Sequence, residues 1–148
     1  VTRSAGTPTI VAWLGYTGLI PFVGLTAAAM LSGTAHPWMV RALLDYAAVI
    51  LSFVGALHWG FAMSLPDLDP RLQRGLFAWS VVPSLLAWVL LLLPTRVAAI
   101  GFIIGFLAHL LRDLNLARLT ALPRWYMPLR LRLTTVACLC MVVNCVTN

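Results

Sequence analysis

The 148-residue chain is 61% hydrophobic and only 9% charged, with a formal net charge of +6. A soluble domain is about a quarter charged, so a water-soluble fold is excluded, and nucleic acid as a partner goes with it, because no soluble module is present to offer the arginines. The apolar residues gather instead into blocks long enough to cross a bilayer, which takes about 20 residues each.

The first block covers residues 11–31 and is interrupted by Gly15, Gly18, Pro21 and Gly24. Arg3, this apolar run and the alanines at 27–29 imitate a secretory signal, but the run is long and broken by Gly and Pro, so it reads as a retained span. Residues 32–44 contain "GTAHPW", which is turn chemistry. A second span is expected over 45–65, stopping at "LPDLDP". Asp67 and Asp69 imitate a metal-binding pair, although a turn between two prolines accounts for them. Arg41 and Asp45, four apart, are expected to pair at the surface.

The third span is expected over 75–93, ending at Pro94, and the fourth over 96–111. A basic interfacial stretch, 112–130, then leads to a fifth span over 131–146. Pro21 and Pro83 each remove a helical hydrogen bond and predict kinks. The fold class is therefore all-α, an integral membrane bundle of five transmembrane helices forming a single transmembrane domain over 1–148.

All ten basic residues are arginine, and the chain has neither lysine nor glutamate. Five spans place Arg3, Arg71, Arg74, Arg112, Arg118, Arg124, Arg130 and Arg132 on the side of the N-terminus, and only Arg41 and Arg96 opposite. The positive-inside rule then predicts a cytoplasmic N-terminus and a periplasmic C-terminus in a bacterial inner membrane, or the matrix side in the mitochondrial inner membrane. Trp13, Tyr16, Trp59, Trp79, Trp125 and Tyr126 fall near the inner ends of the spans and read as interface anchors, as Trp38 and Tyr46 do at the outer ends.

Small and polar side chains inside spans face protein rather than lipid. Gly101 and Gly105 form a GxxxG pair on the fourth span, and Ser52 and Gly55 lead to His58 on the second. These are the expected packing faces. His58 lies eight residues before Pro66 and His109 three before Arg112, so both imidazoles belong within roughly 5–12 Å of the inner helix ends. With Asp113 and Ser84 they make a candidate polar pocket. Two histidines at one depth suit a quinone headgroup or haem b, but hydrogen bonding inside the bundle accounts for them more simply, and no cofactor is predicted. Asp113 is expected to pair with Arg112 or a basic residue of the following stretch.

"ALPRWYMPLRLRLTT", residues 121–135, sets Arg124, Trp125, Tyr126, Arg130 and Arg132 among leucines. That composition suits lipid headgroups or docking of a partner protein. Cys138, Cys140 and Cys145 read as small packing residues. The sequence contains no catalytic motif and no metal-binding spacing.

The stretches "LGYTGLIPFVGL", "YAAVILSFVGALHWG", "WSVVPSLLAW" and "RWYMPLRLRLT" together resemble a family of small multi-span membrane proteins of unknown function, proteobacterial and mitochondrial, that includes transmembrane protein 69. The resemblance runs in order along nearly the whole chain. It implies a multi-span inner-membrane protein and singles out His58, Trp59, Gly60, Pro83, Asp113, Trp125, Tyr126 and Arg130. His109 is not among them.

The expected role is a non-catalytic accessory, assembly or stabilising subunit, with the lipid bilayer and another membrane protein or complex as partners. The alternatives are a quinone-, lipid- or haem-binding redox protein centred on His58, and a small oligomeric transporter built on the Pro-kinked spans.

Overall fold

A computed structural model describes residues 7–31 and 37–147. Arg3 and most of the "GTAHPW" turn lie outside the described residues. Six helices occur among the described residues: α1 (Thr9–Thr17), α2 (Ile20–Leu31), α3 (Pro37–Ser64), α4 (Pro70–Leu91), α5 (Thr95–Leu119) and α6 (Tyr126–Thr147). α1 and α2 follow one another as a single span, Thr9–Leu31, and with the other four make five helices long and apolar enough to cross a membrane. No strand occurs among the described residues.

Proline punctuates these helices where it is tolerated. Pro37 and Pro70 occupy first helical positions, where the missing N–H has no partner to lose. Asp69 caps α4, its carboxylate accepting from the Arg71 and Leu72 backbone N–H groups at 2.8 and 3.2 Å. Asp67 takes the left-handed conformation, with φ 54°, that turns the chain between α3 and α4. Both aspartates of "LPDLDP" therefore serve the turn.

Four helices extend beyond their expected limits. α3 begins at Pro37 rather than at 45, and its Arg41 and Asp45 pair on the exposed face at 3.0 Å. α4 begins at Pro70 rather than 75, since the Asp69 cap and a leading proline are together a strong start. α5 continues past residue 111 to Leu119, because "RDLNLARL" contains neither Gly nor Pro to stop it. α6 starts at Tyr126 rather than 131, with Pro128 confined to its first turn. Of the stretch 112–130, only residues 120–125 lie outside helices.

The core runs between α2, α3, α4, α5 and α6, through Phe22, Leu43, Ala47, Leu51, Leu90, Phe102 and Met141. Its internal glycines set how closely the helices approach. A Cβ on Gly55 would stand 2.8 Å from the Pro83 ring, so the internal proline of α4 seats in a notch of α3. A Cβ on Gly101 would overlap the Leu90 side chain, and one on Gly105 would meet Leu51 and Leu86 at 3.1 and 3.2 Å. Ser52 is half-buried beside this seam. Toward the Arg41 end, Asn144 of α6 donates to the Thr26 hydroxyl of α2 at 2.8 Å, a buried polar link to the first span.

Candidate functional site

The polar residues of α3, α4, α5 and α6 converge near the end of the bundle that carries Arg71, Arg74, Arg118 and Arg124. Asp113 stands at the centre and is fully buried, as are His58 and His109. On α5, positions 102, 106, 109, 113 and 116 all face inward, so helical periodicity directs the carboxylate and His109 to one side. On α3 the inward face through Leu51, Val54, Gly55 and His58 brings the second imidazole to the same place.

Asp113 finds its cation across the α5–α6 junction. The Arg130 Nε donates to Asp113 Oδ2 at 2.7 Å. Arg112 cannot compete, because the next residue on a helix is turned by about 100°. Its guanidinium lies instead 5.0 Å above the Trp79 ring, in cation–π geometry. The expected partner for Asp113 is thus the last residue of the predicted loop, carried inward by α6.

The other carboxylate oxygen, Oδ1, faces both histidines. His58 Nε2 is 3.6 Å away and His109 Nε2 3.8 Å. These separations exceed a direct hydrogen bond. The two imidazole centroids stand 4.8 Å apart with the rings at 67°, which leaves no room for a haem plane between them. The Tyr126 hydroxyl lies within interaction range of both Asp113 and Arg130.

Trp79 defines the protonation pattern. Its indole Nε1–H donates to His109 Nδ1 at 3.0 Å. Indole is a donor only, so Nδ1 must accept, and the single proton of neutral His109 resides on Nε2, toward Asp113. His58 differs, with neither ring nitrogen finding a hydrogen-bond partner among the described residues.

His58, His109 and Asp113 can each present one metal-ligand atom, all within 4.8 Å of one another. A metal on His109 Nε2, however, requires the proton to sit on Nδ1 and to be donated onward. The Trp79 N–H blocks that arrangement, and Arg130 already holds the other carboxylate oxygen. The donor set fits a buried carboxylate paired with Arg130 and faced by two imidazoles better than it fits a metal.

Ser84 is half-buried on α4 and takes no part in this cluster; the α4 residue that reaches it is Trp79. Sequence reasoning assigned Trp79 to the interface, yet it lies three residues after buried Leu76 and four before buried Pro83, on a helix flank turned inward. Arg130 and Tyr126, expected at headgroups or a docking surface, are both buried. Arg124 and Arg132 remain exposed, and Trp125 is half-buried. The inward turn of Arg130 follows from its position four residues before buried Thr134.

The family described as a protein of unknown function (DUF3429) matches residues 7–146. Transmembrane protein 69 of Xenopus tropicalis is 37% identical over 139 residues, covering 92% of this chain and 53% of its own length. The Mus musculus protein of the same name is 29% identical over 147 residues, 97% of this chain and 58% of its own. The chain thus spans about half the length of these relatives. No solved structure matches it.

Proposed function

The chain belongs to the DUF3429 family of proteins of unknown function, and from that premise we propose that it is an accessory, assembly or stabilising membrane subunit that packs against another membrane protein. That it is an integral membrane protein follows from its family and its five apolar helices.

One observation carries the accessory role. Ala56, Gly60 and Ser64 recur every four residues along α3 and are all exposed. The glycines inside the bundle are each closed by a neighbouring side chain, whereas a Cβ on Gly60 would meet nothing within 4 Å. Small residues four apart are how helices approach closely in lipid, where van der Waals contact must replace the hydrophobic effect. The occupant of this strip is a transmembrane helix of a partner protein, flanked by exposed Trp59 and Met63.

The sealed Asp113 cluster suits this role, since it joins α3, α4, α5 and α6 into a rigid platform behind the strip. The arginine asymmetry supports a basic face toward the cytoplasm of a bacterium or the matrix of a mitochondrion. Purification from the native membrane in mild detergent, followed by mass spectrometry, tests the proposal. A stoichiometric membrane partner that disappears with Gly60→Leu is the expected result, and a partner-free homomer contradicts it.

The unpartnered nitrogens of His58 favour a second reading, in which a quinone or lipid headgroup reaches the cluster as part of redox chemistry. Solvent extraction of the purified protein and its redox difference spectrum distinguish the two.

A further inference from the structure

The seam between α4 and α5 holds, toward the basic end, a cation that no carboxylate meets. Arg112 is half-buried on α5 and joins no ion pair among the described residues. The chain has only four acidic residues, all aspartate. Asp45 pairs with Arg41, Asp113 with Arg130, and Asp69 caps α4, while Asp67 shapes the turn before it. What holds Arg112 is the Trp79 ring, 5.0 Å from its guanidinium carbon. An aromatic face attracts a cation but supplies no counter-charge.

Depth makes this costly. Trp79 lies nine residues after Pro70, about 14 Å from the start of α4. An arginine at membrane depth pairs, faces water, or reaches toward the interface. Arg112 reaches. Its Nη2 stands 4.0 Å from where a Cβ on Gly75 would be, one turn nearer the basic end than Trp79. Gly75 therefore leaves open the groove floor along which the guanidinium extends. Arg71, a further turn along the same flank of α4, is exposed and also joins no ion pair among the described residues. Ala78 and Val82 continue that flank in the other direction as exposed apolar surface.

We propose that this groove binds one anionic phospholipid, with its phosphate between Arg112 and Arg71 over Gly75 and its acyl chains along Ala78 and Val82. A guanidinium matches phosphate in geometry as well as charge. Two arginines without an intervening acid favour a headgroup of net negative charge and disfavour one that carries its own ammonium. On the orientation proposed above, the groove opens into the cytoplasmic leaflet, where anionic lipids lie. The site is separate from the α3 strip. It shares only the Trp79 indole with the Asp113 cluster, one face of the ring meeting Arg112 while the N–H serves His109.

Native mass spectrometry of the detergent-purified, delipidated chain, titrated with palmitoyl-oleoyl phosphatidylglycerol or phosphatidylethanolamine, tests the proposal. The wild type binds one phosphatidylglycerol per chain, at least about fivefold more tightly than phosphatidylethanolamine. Arg112→Gln and Arg71→Gln each weaken phosphatidylglycerol binding about fivefold, the worth of one arginine near anionic lipid. Gly75→Leu weakens it with both charges retained. Arg118→Gln removes an equal charge elsewhere on the same end and leaves binding unchanged. A melting curve for each variant establishes that it is folded. Equal affinity for the two lipids overturns the proposal, and so does an equal loss in folded Arg112→Gln and Arg118→Gln, which marks diffuse surface charge. Displacement of the lipid by millimolar inorganic phosphate also overturns it, because a free anion is then the ligand.

Discussion

Arg130 on α6 and Asp113 on α5 meet at 2.7 Å in the buried interior, although seventeen residues and a helix-to-helix turn separate them in the chain. In the low dielectric of a bundle neither group tolerates isolation, so each makes the position of the other obligatory. Around this pair the two histidines, Trp79 and Tyr126 are arranged as donors or dipoles, and four of the five spans are thereby joined.

The pair should behave as a unit when mutated. Asp113→Asn or Arg130→Met alone leaves one buried group without its complement and is expected to cost about 3–5 kcal/mol. The double variant Asp113→Leu with Arg130→Met should recover most of that loss. Thermal unfolding of the purified variants in one detergent, analysed as a double-mutant cycle, measures the coupling.

Trp79→Phe retains the ring and removes the N–H that fixes His109. The loss of one hydrogen bond, with Nδ1 left buried, is expected to lower stability by about 1–3 kcal/mol. Nitrogen-15 NMR of labelled histidine reads the effect directly. His109 should show a protonated Nε2 in the wild type and lose that single-tautomer signature in the variant.

The legible part of the sequence was the part governed by hydropathy and by loop charge. Five spans, and the gathering of His58, His109 and Asp113 toward the basic end, follow from composition and a 1.5 Å rise per residue. Helix ends were less legible, because "PWMVRALL" follows directly on turn chemistry and "RDLNLARL" is polar enough to resemble a loop, while neither has a Gly or Pro inside it to stop a helix. His109 consequently lies ten residues before the end of α5, deeper than expected at about 15 Å. Side-chain direction was the least legible. Trp79 and Arg130 have the composition of interface residues, and only their spacing from Pro83 and Thr134 indicates that they turn inward.

The glycines separate into two classes with opposite sensitivities. Gly101→Val places a side chain where Leu90 already sits and is expected to cost about 1–3 kcal/mol through overpacking. Gly24→Val meets nothing within 4 Å and should leave the melting temperature of the isolated protein unchanged. A side-by-side melting experiment in detergent checks both.

Orientation is open to chemical labelling. A cysteine at Asp67, in the turn between α3 and α4, should react with a membrane-impermeant maleimide only from the cytoplasmic or matrix side. One at Thr95, at the start of α5, should react only from the opposite side. Both are introduced into a chain whose three native cysteines have been replaced by alanine.

The docking strip on α3 is tested most directly by photo-cross-linking in the native membrane. A photoreactive residue at Met63, beside Gly60, is predicted to capture one defined membrane protein, and Gly60→Leu should abolish the product. The same residue at Leu139 on the exposed face of α6 should capture lipid alone. Capture of lipid alone at Met63, of only a second copy of this chain, or of the same products at both positions would contradict the accessory role.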